Sequence, residues 1–361
     1  MQYQKIAKQI IRRFALAFLM QTEPVFSIET IENKKNYILD KETYNEGIDI
    51  KGQSTVENQG ALSVSTSSKK TPAIKVNEGS TLTLKGADNK WINVTTSEKK
   101  SFGLLASGSG TEITANKMDI NTKGEGSGGV KAEYDAGIII NESKITSEGE
   151  GFSKGVWATG KQSNLIGNYL KIKVKGKEAR GVSAQSGASV MINGSVIRGE
   201  GEDVNGILAS DKNTNVEGNN LTVEVKGQEG HGVRAYREAT VNIQNNSVIR
   251  THGAFSHAAM LFDKATLNIS DSHLKTTGAD SAILYIDPPQ KNNKKRKNRV
   301  EITGGSLEAS GDLILSDGGV TDVFLNNVFT HSPGSGYLLK VLNSAGPTRP
   351  ICPLTLTVRG R

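Results

Sequence analysis

The sequence predicts an all-β protein, a right-handed parallel β-helix of about ten coils with roughly 26 residues in each. Three observations predict it: a short motif that recurs at near-constant spacing, alternating apolar runs after each copy, and left-handed-tolerant residues between those runs. The motif appears as Gly129-Val130-Lys131-Ala132, Gly155-Val156-Trp157-Ala158, Gly181-Val182-Ser183-Ala184, Gly206-Ile207-Leu208-Ala209 and Gly232-Val233-Arg234-Ala235, with starts 26, 26, 25 and 26 residues apart. One alternating run follows about nine residues later, as in Val190-Met191-Ile192 and Val241-Asn242-Ile243. A second follows a polar break, as in Val196-Ile197-Arg198 and Val248-Ile249-Arg250. Each repeat thus holds three short strands and three turns. No such triplet buries an apolar face alone, but stacked repeats place like residues over like and make one continuous core.

The remaining elements follow from this frame. The repeat-initial glycines fit a corner with little side-chain room, where the backbone turns. The breaks hold Asn141, Gly167-Asn168, Asn193-Gly194, Gly218-Asn219, Asn245-Asn246 and Asp271, residues that tolerate left-handed backbone. Stacked Asn side chains there would hydrogen-bond along the solenoid. Gly103-Leu104-Leu105-Ala106 and Ala73-Ile74-Lys75-Val76 extend the series upstream. Ala258 to Leu261, Ala282 to Tyr285, Leu313 to Ser316 and Tyr337 to Lys340 extend it downstream with glycine replaced. The leucine-rich repeat signature is missing.

Composition agrees with many strands and many tight turns: 361 residues carry 40 Gly, 8 Pro and 5% aromatics. The net charge is +7, and much of the excess lies in Lys291 to Arg299 and in Lys5, Lys8, Arg12 and Arg13. No basic stripe with interleaved aromatics is visible along the body of the chain, which argues against nucleic acid as a partner. A single cysteine, Cys352, excludes a disulfide framework and a Cys-rich zinc site. A basic stretch from Lys5 to Arg13 precedes a short apolar run from Phe14 to Met20, the order of a secretory signal peptide over residues 1–27. An amphipathic helix is the alternative for this segment, since Ile6, Ile10, Ile11, Phe14 and Phe18 also fit helical spacing.

The Gly-Val-x-Ala coils, the strands Ala239 to Ile243 and Ala265 to Ile269, and Gly336-Tyr337-Leu338-Leu339-Lys340-Val341 make residues 50–345 resemble the passenger domains of pertactin-like bacterial autotransporters. The resemblance implies a β-helical passenger over 28–345, exported across the inner membrane and displayed at the outer membrane or secreted. It implies binding of host cell-surface or matrix molecules, as an adhesin or other virulence-related protein, acting as a monomer. Such chains end in an outer-membrane barrel, for which the residues after Leu339 are too few. The tail 346–361, with Cys352 and three of the eight prolines, is atypical of what precedes it and suggests a truncated product or a remnant without activity.

No catalytic, cofactor or metal site is predicted. His231, His252, His257, His273 and His331 lack zinc-ligand spacing. Lys291, Lys294, Lys295, Arg296, Lys297 and Arg299 form a candidate polyanion-binding loop, set against the plainer reading of a solvated loop. A polysaccharide lyase or hydrolase is the enzymatic alternative. It would require converging carboxylates, for which Glu148, Glu150, Glu200, Glu202 and Asp203 are the turn acids on offer.

Overall fold

A computed structural model describes residues 27–287, 297–317, 321–332, 336–342 and 354–359. Among them all regular structure is β, arranged as three parallel sheets of 13, 13 and 12 strands. Every strand pairs with the strand three places away in sequence, so the chain winds as a β-solenoid. Two turns, over Glu29–Glu32 to Thr43–Tyr44 and Ile48–Lys51 to Ser63–Thr66, precede the first coil that the sequence pattern marks. Downstream, Leu354–Arg359 pairs in parallel with Thr321–Asn326 and so belongs to the second sheet. Residues 1–26, which hold all of the expected export signal but Ser27, and Cys352 in the tail lie outside the described residues.

Period-two alternation sends one set of side chains inward. In the first sheet Val130, Val156, Val182, Ile207 and Val233 form one fully buried column, and Ala132, Ala158, Ala184, Ala209 and Ala235 another. Ile145, Ile172, Ile197, Val223 and Ile249 form the matching column of the third sheet. Burying each valine or isoleucine side chain stabilises by roughly 1.5–3 kcal/mol, and the columns make one core along the axis.

The repeat-initial glycines are explained by space and not by turning. Gly129, Gly155, Gly181 and Gly206 lie inside strands and have no positive φ. A Cβ on Gly155 would sit 2.3 Å from Ile172 Cγ2 and 2.5 Å from the carbonyl oxygen of Gly181. The same two neighbours, one in the third sheet and one on the next turn, crowd Gly129, Gly181 and Gly206.

The asparagine ladder forms as expected: Asn168 donates to Asn141 at 2.8 Å, Asn193 to Asn168 at 2.7 Å, and Asn219 to Asn193 at 2.8 Å. These residues end strands, and the left-handed conformation falls one residue later, at Glu142, Tyr169, Gly194 and Asn220. Behind the ladder the core alternates. Ile140, Ile192 and Ile243 are followed by Ser143, Ser195 and Ser247, whereas Gly167 and Gly218 are followed by Leu170 and Leu221, whose side chains fill the space a Cβ on those glycines would enter. The serine hydroxyls accept the Leu170 and Leu221 amides, so volume and hydrogen bonding are conserved from turn to turn.

Candidate ligand-binding face

The outward side chains of the first sheet do not form an ordinary solvated surface. One column along the axis reads Phe102, Gly128, Lys154, Arg180, Asn205 and His231. A second runs from Asp49 and Lys75 through Leu105, Lys131, Trp157 and Ser183 to Leu208 and Arg234, then on to Met260 and Tyr285. Many are buried although they point out: Lys154 is 8% exposed, Asn205 2%, His231 7% and Met260 7%.

At the centre, cations and rings interlock. The ring of Phe102 lies over Gly128, whose missing side chain leaves it room. The Phe102 and Trp157 centroids are 5.9 Å apart, and Lys131 and Lys154 hold their ammonium groups 4.2 and 4.5 Å from the Trp157 ring. Lys131 also pairs with Glu133 at 2.5 Å, whereas Lys154 donates to the Phe152 carbonyl at 3.0 Å. Burial, then Arg180 and Lys131, pull the Lys154 amine down to about 8. A pocket of about 420 Å³ opens upstream, lined by Asp49, Lys75, Lys100, Leu105 and the shared Phe102 and Lys131.

Downstream, Arg234 pairs with Asp203 at 3.4 Å beside the Tyr236 and Phe262 rings, which stack at 4.7 Å. His231 and His257 stack, and His257 stacks in turn on Tyr285 at 4.5 Å. Burial pushes the Tyr285 phenol up to about 12 and raises the carboxyls of Asp203 and Asp287.

Eight buried side-chain polar atoms among the described residues have no hydrogen-bond partner, and six of them share this face: Asp49 Oδ1, Trp157 Nε1, Arg180 Nε, Ser183 Oγ, Asn205 Oδ1 and Arg234 Nε. Leaving such an atom unsatisfied costs about 1–3 kcal/mol, so their concentration sets this face apart from the rest of the described surface. Charges on the third sheet are instead spent on each other, as in Arg198–Glu224 at 3.4 Å and Lys275–Glu308 at 2.6 Å.

Of the sites anticipated from sequence, only part falls among the described residues. Lys291, Lys294, Lys295 and Arg296 lie outside the described residues. Lys297 pairs with Asp322 at 2.5 Å, and Arg299, on the second sheet, pairs with Glu301 at 2.9 Å and covers the Phe324 ring. Glu202 pairs with Lys177 and Asp203 with Arg234, so the turn acids are spread among separate partners. No group of three or more His, Cys, Asp or Glu fit to hold a metal occurs among the described residues. The expectation that no basic stripe runs through the body is corrected: stacking assembles one from residues 23 to 54 positions apart, interleaved with aromatics. Aligning the repeats and reading down the columns is the sequence signal that would have found it.

No protein-family profile and no curated protein sequence matches the chain. Among solved structures it shows a likeness to tailspike protein 3 of bacteriophage CBA120, at 13% identity and a TM-score of 0.29, over 88% of this chain and 59% of that one. The chain thus spans less than two thirds of the tailspike, and so weak a likeness bears on no functional question.

Proposed function

We propose that this β-solenoid is a non-enzymatic binding protein, exported and either displayed at the cell surface or released, whose first-sheet outer face holds host cell-surface or matrix molecules in the manner of an adhesin. The observation that carries this reading is the gathering of six unpartnered buried polar atoms on one face, among aromatic rings and cations. Binding sites combine apolar and aromatic lining with a few placed polar groups, and this face has both. Most of its carboxylates are already engaged by lysine or arginine, Asp49 by Lys75 at 3.7 Å, Glu133 by Lys131 and Asp203 by Arg234, which leaves them poorly suited to acid–base work.

The test is binding of the purified chain to immobilised host cells, matrix proteins and a glycan panel. Trp157→Ala and Arg234→Ala should each abolish most of the signal, while Arg198→Ala on the third sheet should leave it intact. Equal loss for all three would contradict the assignment of the face.

One observation favours the enzymatic alternative. Asp287 and Asp317 follow directly after paired strands, Leu284–Ile286 and Ile314–Ser316, so they stand at equivalent points on adjacent turns, and repulsion from Asp317 helps to raise Asp287. Two carboxyls brought close together, one with a raised affinity for its proton, are what a glycosidase requires. Under this reading Asp287→Asn would retain glycan binding and abolish release of reducing ends. Under the adhesin reading no reducing ends appear with either protein.

A further inference from the structure

We infer that Lys154 and Arg180 form an oxyanion subsite for an acidic saccharide, a carboxylated or sulfated sugar residue of a glycan lying along the solenoid axis. The inference rests on the reading of this face as a binding surface and names the chemistry of its ligand. Lys154 and Arg180 are direct cross-strand partners on adjacent turns. Like charges placed so are destabilising, and here they are also withdrawn from water, with Lys154 8% exposed. Neither forms an ion pair with a carboxylate among the described residues. Lys154 has only the Phe152 carbonyl and the Trp157 ring, and Arg180 Nε has no partner. Asp203, the acid beside them, is engaged by Arg234. Burial lowers both groups from their ordinary values, and for Lys154 the nearby Arg180 adds to it.

An oxyanion seated between the two would relieve their repulsion and take charge-assisted hydrogen bonds from both. The surrounding groups point beyond a bare anion. Asn205, next in the column, spends its amide on the Asp203 carbonyl at 3.1 Å and leaves Oδ1 without a donor. Ser183 Oγ can donate and accept, and Trp157 Nε1 can donate. Sulfate has no hydrogen to give Asn205, whereas a sugar supplies hydroxyls for Asn205 and Ser183 together with an acid group for the cations. Successive turns are separated by about 4.8 Å, close to the advance of one pyranose in an extended chain, so neighbouring sugars meet neighbouring turns.

Isothermal titration of the full chain tests this, with oligogalacturonate, a heparin oligosaccharide, a neutral maltooligosaccharide, a thymidine oligonucleotide and sodium sulfate as probes. The expected result is binding of at least one acidic oligosaccharide, weakened at least about tenfold by Arg180→Gln and by Lys154→Met but not by Lys173→Gln on the third sheet. Preference between the first two probes separates a carboxylate source from a sulfated one. Binding of sulfate or of the oligonucleotide as tight as that of the acidic sugars would overturn the saccharide assignment. So would wild-type affinity in both variants, or failure of both acidic probes. Binding of the neutral sugar that survives Arg180→Gln but not Trp157→Ala would overturn the subsite while leaving the binding face standing. Lys154→Met should melt at or above the wild-type temperature, because it removes one of two repelling charges. Should it fail to fold, Arg180→Gln decides.

Discussion

The imidazoles of His231 and His257 lie 5.5 Å apart and within 8° of parallel, and His257 Nδ1 accepts the backbone N–H of Ala282 at 2.9 Å. Both rings are buried, which holds His257 down at about 4 and His231 well below the ordinary histidine value; the neighbouring His257 and Arg234 lower His231 further. The unfolded chain binds protons at these residues from about pH 6.5 downward while the folded chain does not. The histidine pair therefore contributes no pH dependence above pH 6.5 and lowers stability as pH drops from 6.5 towards 4, by up to about 1.4 kcal/mol per pH unit for each histidine. Urea unfolding across this range should show the loss, and His231→Gln with His257→Gln should flatten it.

Lys154 gives the opposite end of the pH scale. Its amine titrates at about 8 in the fold against 10.5 unfolded, so between these values the unfolded chain carries the extra proton and stability rises with pH. Denaturation midpoints measured from pH 7.5 to 10 should climb in the wild type, and the rise should be absent in Lys154→Met.

Gly155 has no room for a methyl group, since its Cβ would lie 2.3 Å from Ile172 Cγ2 and 2.5 Å from the Gly181 carbonyl oxygen. Gly155→Ala should cost about 3 kcal/mol through overpacking. Adding Ile172→Ala should recover little, because the backbone oxygen stays in place. Chemical denaturation of the single and double variants checks both statements.

Gly167 and Leu170 share one volume, with the Leu170 Cδ1 only 2.6 Å from where a Gly167 Cβ would stand. The neighbouring turns solve the same problem with Ile192 and Ser195. Gly167→Ile and Leu170→Ser should each destabilise by about 2–4 kcal/mol, the first by clash and the second by a cavity. The double variant should recover part of the loss but stay below wild type, because Ile192 Cδ1 also stands 2.9 Å from where a Gly167 Cβ would lie, and the double-mutant cycle should show a favourable coupling energy.

The solenoid was legible because its signal repeats: Val130, Val156 and Val182 recur at one spacing, and so do the glycines that precede them. What those glycines do is not legible in the same way, since a missing side chain looks alike in a sequence whether it permits a turn or avoids Ile145 and Ile172. The binding face stayed hidden for a related reason. Lys154 and Arg180 are 26 residues apart and meet only through stacking, whereas the basic run at Lys291 to Arg299 is contiguous and draws the eye. Of that run, Lys297 and Arg299 turn out to be occupied with Asp322, Glu301 and Phe324. Asp287 and Asp317 illustrate the same point, thirty positions apart in sequence and one turn apart in space.

The chain has two tryptophans, Trp91 and Trp157, and only Trp157 lies on the face assigned to ligand. A fluorescence titration of the Trp91→Phe variant with whichever oligosaccharide binds in calorimetry should give a saturable change in Trp157 emission with the same midpoint. The Trp157→Phe variant, reporting from Trp91 alone, should stay silent. A saturable response from Trp91 with none from Trp157 would place the ligand elsewhere on the solenoid and contradict the central claim.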